Sequence, residues 1–236
     1  DRVVITYKES TDNYVVATVG QVSGTSITWG AETRIGTQHS NNPDICFDST
    51  TNKVVVFYRE SASVGTDYGY CAVGTVTGGG TNTISFGTTV SVISSAIRYS
   101  SVIYYASTNK FVFLWKEDGS PNEGIAICAS MDPDYGGGTI ESFGTAVEFS
   151  SAGANYLKRG TFYDPDSERV IACYQDNTDD GFACMIQNTT SNTLVAHTPV
   201  EFEAGQSYYV AACYDTTNNK GIVMWRDGQD SNYLKA

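Results

Sequence analysis

The sequence predicts an all-β fold, a β-propeller built from four-stranded antiparallel blades. Three observations predict it. A pattern of strands and turns recurs at about 50–59 residues, the strands are rich in Val, Ile, Tyr, Phe and Thr, and no segment keeps the 3.6-residue period of a helix. One four-stranded sheet cannot bury both of its faces alone, so a repeat of this length is typical of a propeller blade that stacks against its neighbours.

The first repeated element is a strand that ends in an aromatic residue, a basic or polar residue and an acid. It occurs five times, as Tyr7-Lys8-Glu9, Tyr58-Arg59-Glu60, Trp115-Lys116-Glu117, Tyr174-Gln175-Asp176 and Trp225-Arg226-Asp227. A catalytic site breaks symmetry, whereas these acids keep it. We therefore interpret the charged positions as a ring of ion pairs between blades: Lys8, Glu9, Arg59, Glu60, Lys116, Glu117, Asp176, Arg226 and Asp227. A repeated ligand contact and catalysis are the alternatives.

Two further elements complete the repeat. A polar turn precedes each of the last four aromatic-ended strands, at 48–53, 107–110, 164–169 and 215–220. An Ile-x-aromatic-Gly segment recurs at Ile27–Gly30, Ile84–Gly87 and, with one extra residue, Ile140–Gly144. It is degenerate at Leu194–His197, where we interpret His197 as replacing the aromatic residue.

Division at the turns predicts four full repeats, at about 1–53, 54–110, 111–169 and 170–220, and a partial fifth at 221–236, in one domain. The count leaves three alternatives open. The chain is part of a longer propeller, a five-bladed ring with one abbreviated blade, or a window on an open array.

Composition excludes several classes of partner and cofactor. With 14 Lys and Arg against 26 Asp and Glu, the net charge of −12 argues against binding to nucleic acid or to an anionic membrane. No apolar run approaches the roughly 20 residues of a membrane helix, so no membrane insertion is expected. The six cysteines form no C-x-x-C pair and there are two histidines, so we predict no metal and no cofactor.

The cysteines follow the repeat, and most of them are predicted to be core thiols. Cys71, Cys128 and Cys184 are equivalent to each other, and Val16 takes their place in the first repeat, as expected of a small apolar buried position. Cys173 and Cys184 flank one hairpin and could face each other across the strands. A disulfide between them is the alternative.

Function more often lies where repeats differ. Three junctions between the third and fourth predicted strands of a repeat carry tyrosines beside or near cations, and we predict a ligand surface there: Arg98, Tyr99, Tyr156, Lys158, Arg159, Tyr208 and Tyr209. A tyrosine ring can stack on the apolar face of a sugar while charged groups donate hydrogen bonds to hydroxyls or carboxylates. The alternative is that the tyrosines begin the next strand and pack between blades. We find no convergent carboxylates particular to one blade, so we predict no catalytic residue and no enzyme.

The segment FDSTTNKVVVFYRES…GTVTGGGTNTISFGTTV, from Phe47 to Val90, resembles repeats of phage tail-fibre and marine environmental proteins, and in outline is similar to short-repeat propeller lectins. The resemblance implies a non-enzymatic recognition module in a viral fibre or extracellular adhesin, outside the cell or on a virion surface. Its implied partners are glycans or a cell-surface receptor, and other subunits of a fibre or virion. A structural scaffold is the alternative, and a propeller-type glycoside hydrolase is less favoured.

Overall fold

The structure, a computed structural model, describes residues 1–61, 67–77, 82–119, 122–132 and 138–236. They form five antiparallel sheets, the blades of a β-propeller fold. The chain divides into two compact units, Asp1–Ala96 with Met131–Glu141, and Ile97–Ser130 with Ser142–Ala236. No helix within the described ranges is long and apolar enough to span a bilayer.

The first two sheets belong to the first unit. The first sheet consists of β1 (Arg2–Lys8), β2 (Val15–Ser23), β3 (Ser26–Trp29) and β4 (Thr33–Ile35). The second sheet consists of β5 (His39–Asp48), β6 (Lys53–Ser61), β7 (Asp67–Thr77), β8 (Thr83–Phe86) and β9 (Val90–Ile93). Val15, Val19, Val56 and Tyr58 are among the buried side chains that form the core of this unit.

The third, fourth and fifth sheets follow along the chain. The third consists of β10 (Ile97–Tyr105), β11 (Lys110–Glu117), β12 (Gly124–Met131), β13 (Ile140–Phe143) and β14 (Val147–Ser150). A one-turn helix, α1 (Leu157–Gly160), precedes the fourth sheet, which consists of β15 (Thr161–Asp164), β16 (Arg169–Gln175), β17 (Gly181–Thr190), β18 (Thr193–Ala196) and β19 (Val200–Glu203). The fifth consists of β20 (Ser207–Asp215), β21 (Lys220–Asp227) and β22 (Leu234–Lys235).

The second, third and fourth sheets share one topology. Their first three strands pair in chain order, and the fourth strand is broken into two pieces that pair with opposite ends of the third strand. In the second sheet β8 pairs with Gly74–Thr77 of β7, while β9 pairs with Gly69–Cys71. The break follows the recurrent Ile-x-aromatic-Gly segment.

The aromatic-ended strand is the second strand of these sheets, because the polar turn before it forms a hairpin with the preceding strand. Asp48 accepts hydrogen bonds from the backbone N–H groups of Thr50 (2.8 Å) and Thr51 (3.2 Å), and Asn52 adopts a left-handed φ of 56°. This Asx turn joins β5 to β6, so the two strands pair with each other. The prediction of four full repeats and a partial fifth is therefore wrong, and the structure has five blades.

The predicted alternative of a disulfide between Cys173 and Cys184 is also wrong, because the register forbids it. Cys173 lies opposite Ala183, and Cys184 lies opposite Ala172. Neighbouring residues of a strand point to opposite faces, so the two thiols enter different cores. Cys173 packs with Val210 and Trp225, Cys184 packs in the cluster that holds Leu114, and all six cysteines are free.

Burial should make the cysteines unequal in reactivity. Cys71, Cys128, Cys173 and Cys184 are buried, whereas Cys213 is exposed. Burial raises the pKa of Cys128 and of Cys184 to about 11, and the reactive species is the thiolate. We expect iodoacetamide at neutral pH to modify Cys213 in the folded protein and the four buried thiols only after unfolding, as read by peptide mass spectrometry. Rapid labelling of Cys184 in the native state would contradict the packing.

The glycine of the Ile-x-aromatic-Gly segment lets one sheet approach the next. A Cβ on Gly144 would lie 1.8 Å from the carbonyl oxygen of Asn192, at the start of β18. The Asn192 side-chain amide donates to the carbonyl of Ser142 at 2.7 Å, which stabilises the close approach of Asn192 to Gly144. Gly30 and Asn82 repeat the arrangement in the first unit, where the corresponding distance is 1.7 Å.

His197 shows when this glycine is dispensable. Its N–H donates to the carbonyl of Met185, as the N–H of Gly144 donates to that of Cys128, so His197 takes the place of the glycine rather than of the aromatic residue. The fifth sheet has only β20, β21 and β22 among the described residues. Within the described part of the chain, no strand equivalent to β18 presses a carbonyl against position 197, and His197 is exposed there.

Candidate functional site

A repeated bulge in the first strand of a sheet positions the candidate site. In β10, Arg98 lies opposite Lys116 but Ser101 lies opposite Leu114, so one extra residue is inserted. In β20, Tyr208 lies opposite Arg226 and Ala211 opposite Met224, with the same insertion. A β-bulge of this kind leaves a residue outside the ladder and redirects its side chain.

Three tyrosines occupy the bulge position. Tyr99, Tyr156 and Tyr209 have φ values of 52°, 66° and 54°, all in the left-handed region. In the fourth sheet the bulge is enlarged, because Asn155 pairs with Gln175 and α1 follows directly after Tyr156. In the second sheet the equivalent residue is Asn42, with a φ of 52°.

Tyrosine is an unfavourable choice for this backbone. The left-handed conformation costs roughly 1–2 kcal/mol for a residue with a bulky Cβ substituent, whereas glycine and, to a lesser degree, asparagine tolerate it. Backbone strain of this kind clusters at functional sites. Its occurrence at three equivalent tyrosines singles them out from the other aromatic residues.

The three tyrosines form a contiguous row, here called the tyrosine row. The ring centroids of Tyr99 and Tyr156 are 6.0 Å apart, and those of Tyr156 and Tyr209 are 5.5 Å apart. Tyr209 is 58% exposed and Tyr99 36% exposed, with Tyr156 half-buried between them. Burial, then the two neighbouring tyrosines, raises the pKa of Tyr156, so its phenol is neutral at physiological pH.

Lys116 lies at the Tyr99 end of the row, and its ammonium group donates hydrogen bonds to two side chains. Its Nζ lies 6.0 Å from the Tyr99 centroid and donates to Asn155 Oδ1 (3.0 Å) and Asn177 Oδ1 (3.2 Å). Burial, with the nearby Arg98, lowers its pKa. Arg98 itself forms an ion pair with Asp118, Nε to Oδ1 2.7 Å.

Arg226 lies at the Tyr209 end of the row. The carbon of its guanidinium group is 4.8 Å from the ring centroid of Tyr208 and 4.9 Å from that of Tyr209, the geometry of a cation–π contact with both rings. Its Nε is buried and has no hydrogen-bond acceptor. Arg226 forms no ion pair with any residue that the structure describes.

Two carboxylates border the row. Asp118 is held by Arg98 at the Tyr99 end. At the other end Asp179 places Oδ2 3.5 Å from the hydroxyl of Tyr208, while its Oδ1 accepts a hydrogen bond from Gln175 Nε2 at 2.9 Å. Within the described ranges, no group of three or more His, Cys, Asp or Glu side chains could hold a metal ion.

The structure brings together five of the seven predicted ligand residues. Tyr99, Tyr156 and Tyr209 form the row, and Arg98 and Tyr208 flank it. Lys158 and Arg159 are exposed on α1, immediately after Tyr156. Sequence reasoning missed Lys116 and Arg226 as members of the site. The available signal was their position next to an aromatic residue at the end of a strand.

Four of the five acids of the predicted ion-pair ring, Glu9, Glu60, Asp176 and Asp227, have other partners, mostly within their own turns. Glu9 accepts from the N–H groups of Thr11 and Asp12, and Asp176 from those of Thr178 and Asp180.

The remaining members are placed as follows. Glu60 accepts from the N–H of Gln38 at 2.7 Å, and Asp227 from that of Gln229 at 2.8 Å. Asp227 also pairs with Lys235, which lowers the pKa of Asp227. Arg59 donates to Asn41 and pairs with Asp67, while Lys8 and Glu117 end β1 and β11.

Comparison with known proteins identifies the fold but no family. No protein-family model matches the chain, and no curated protein matches it. Among solved structures, it is similar to an exo-β-1,3-galactanase from Phanerochaete chrysosporium crystallised with β-1,3-galactotriose, with a TM-score of 0.51 and 9% identity. The match covers 99% of this chain and 59% of the galactanase chain, so this chain spans less than two thirds of that protein.

This similarity corrects one prediction and leaves another unsupported. The prediction that the chain is not an enzyme is wrong on this finding, because the propeller it is similar to is a glycoside-cleaving enzyme. No family match supports the specific resemblance to tail-fibre or lectin repeats, and a place on a fibre or outside the cell stays a prediction. The chain has a five-bladed β-propeller fold, similar to that of a carbohydrate-active protein.

Proposed function

We propose that this chain binds saccharides along the tyrosine row. The observation that carries the proposal is the set of three tyrosines held at equivalent bulges in a backbone conformation that tyrosine disfavours. At Tyr99 and Tyr209 core packing does not account for the strain, because both side chains are exposed, whereas Tyr156 packs in part against the cluster that holds Trp225. A ligand that uses their ring faces accounts for both the strain and the exposure.

The chemistry of the row fits a sugar. The C–H face of a pyranose packs on an aromatic ring, and adjacent centroids 5.5 and 6.0 Å apart offer an oligosaccharide more than one stacking position. Lys116, Arg98 and Arg226 add donors at the ends of the row, which suits hydroxyl and carboxylate acceptors. Fold similarity is an argument by analogy, but it makes galactose-containing oligosaccharides the first ligands to test.

Titration with β-1,3-galactotriose and a glycan array, followed by calorimetry on the best ligand, tests the proposal. Tyr156→Asn combined with Tyr209→Asn removes two rings while keeping a residue that tolerates the left-handed backbone. We expect about tenfold weaker binding, since each stacked ring contributes about 0.5–1.5 kcal/mol. The unfolding temperature should change little, because asparagine relieves backbone strain while the loss of Tyr156 removes some packing against the cluster that holds Trp225.

A matched control separates the row from aromatic surface in general. Tyr233→Asn removes a tyrosine that is 65% exposed and lies outside the row, and it should leave the affinity unchanged. Equal affinity of the double variant and the wild type for every saccharide retained by the wild type would overturn the proposal.

Glycoside hydrolysis is the second candidate, by analogy with the galactanase fold, and Asp118 and Asp179 at the borders of the row are the carboxylates to test for it. Glycosidases use a pair of carboxylates at the scissile bond. The same titrations, followed over hours for released galactose, test it with Asp118→Asn and Asp179→Asn. Turnover that disappears in these variants while binding persists would establish hydrolysis. Binding without turnover by the wild type would exclude it for that ligand.

A further inference from the structure

The two ends of the tyrosine row differ in how their cations are compensated. At the Tyr99 end, Lys116 donates to two asparagine side chains and Arg98 is paired with Asp118. At the Tyr209 end, Arg226 contacts two tyrosine rings but no carboxylate of the described chain. Both cations at the Tyr99 end therefore have polar acceptors within the protein, whereas the Arg226 guanidinium group has no ion-pair partner among the described residues. Asp179, at the same end as Arg226, interacts with Tyr208 and Gln175 instead.

This uncompensated arginine is unusual in its setting. The chain has 26 Asp and Glu residues for 14 Lys and Arg, so acidic partners are abundant. Lys235, one strand away from Arg226, contacts both Asp227 and Asp230. Arg226 instead stacks on Tyr208 and Tyr209, and its Nε stays buried without an acceptor. Arg226 is half-buried, and a charge partly removed from water without an ion-pair partner is costly, which favours a ligand that brings negative charge to the terminal N–H groups of this guanidinium group.

We propose that the saccharide bound on the tyrosine row is acidic, with a sugar carboxylate placed against Arg226. The inference rests on the proposed saccharide binding. It adds the chemical class of the saccharide and the direction in which the saccharide lies along the row. The sugar ring stacks on Tyr209, and the carboxylate accepts hydrogen bonds from the terminal N–H groups of the guanidinium group, since its Nε is buried. Neutral parts of the oligosaccharide then extend over Tyr156 toward Tyr99.

The geometry favours this order along the row. Tyr209 is the most exposed of the three rings, and it is also the one in contact with Arg226, so stacking and charge recognition coincide there. A guanidinium group fixed between two rings has lost its rotamer freedom before the ligand arrives, which lowers the entropic cost of binding. Hydrogen bonds from a charged donor to a charged acceptor are about twice as strong as neutral ones.

A pair of ligands that differ only at C6 tests the inference. Methyl β-galactopyranosiduronate carries a carboxylate there, and methyl β-galactopyranoside carries a hydroxymethyl group. At low ionic strength we expect the uronate to bind about tenfold more tightly, by ligand-observed NMR titration, and the preference to shrink at high salt. Arg226→Gln should abolish the preference, because it weakens binding of the uronate about tenfold more than it weakens binding of the neutral glycoside. Arg159→Gln, which removes an exposed arginine on α1, should preserve the preference.

Each outcome has a distinct meaning. If neither glycoside binds and no oligosaccharide does, saccharide binding itself fails. If both bind equally to the wild type, binding stands and the acidic preference is overturned. If the preference survives in Arg226→Gln, Arg226 is not the recognition group and the inference fails. If methyl galactoside 6-sulfate binds more tightly than the uronate in an Arg226-dependent way, the ligand anion is a sulfate and the assignment of a carboxylate is overturned.

Discussion

Replacing Trp115 by alanine is expected to lower the free energy of unfolding by about 3–5 kcal/mol, a large part of the 5–15 kcal/mol typical of a domain. Trp115 is fully buried in β11, where six consecutive side chains are buried. The substitution removes the largest side chain of this core and leaves a cavity that the flanking strands cannot close. Urea denaturation followed by circular dichroism measures the change.

Trp29 provides the matched control. It lies in β3 and is 45% exposed, so Trp29→Ala should cost less than about 1 kcal/mol. Similar losses from both substitutions would show that burial in β11 is not what makes Trp115 stabilising.

Gly144→Ala is expected to destabilise the protein by about 3 kcal/mol, at the upper end of the cost of overpacking. The φ angle of Gly144 is not in the left-handed region, so the backbone conformation itself admits alanine. Alanine would gain up to about 1 kcal/mol from a less flexible unfolded chain. The overlap decides the sign, because the added Cβ would lie 1.8 Å from the backbone oxygen of Asn192 and only movement of a strand can relieve it.

The equivalent position in the next sheet gives the comparison. His197→Ala should change the free energy of unfolding by less than about 0.5 kcal/mol, since His197 is exposed. Thermal unfolding of both variants in one buffer checks the difference. A tolerated Gly144→Ala would show that the contact with Asn192 can open without cost to the rest of the sheet.

The repeat made much of the fold predictable. Polar turns such as 48–53 and the Val-rich and aromatic strands beside them mark hairpins whose local chemistry is visible in sequence. Spacing alone does not say which strands share a sheet, and for that reason the blade count was wrong. The register of strand pairing is equally hidden. The sequence allows Cys173 and Cys184 to lie opposite each other, but the observed pairing is offset by one residue, which puts the two side chains on opposite faces of the sheet.

The residues of the candidate site that differ between repeats could be predicted from the sequence. The residues that occupy the same position in every repeat could not. The tyrosines stood out because they occur at junctions. Arg59, Lys116 and Arg226 share one position in the repeat, and the residue across the ladder determines their contacts. Arg59 faces Asn41 and donates to it, whereas Arg226 faces Tyr208 and stacks on it. Such cross-strand differences become visible only when the register is known.

The bulge that carries the tyrosine row has a consequence for how this protein can evolve. Its residue lies outside the hydrogen-bonded ladder, so a single codon change there alters the exposed surface without disturbing a blade. Asparagine already occupies the position in the second sheet and fits the backbone better than tyrosine does. Random drift would therefore favour asparagine or glycine at the two exposed positions, Tyr99 and Tyr209, where little packing opposes the relief of backbone strain. A lineage that retains all three is under continuing selection for what their rings contact, and a lineage that changes ligand can do so one position at a time.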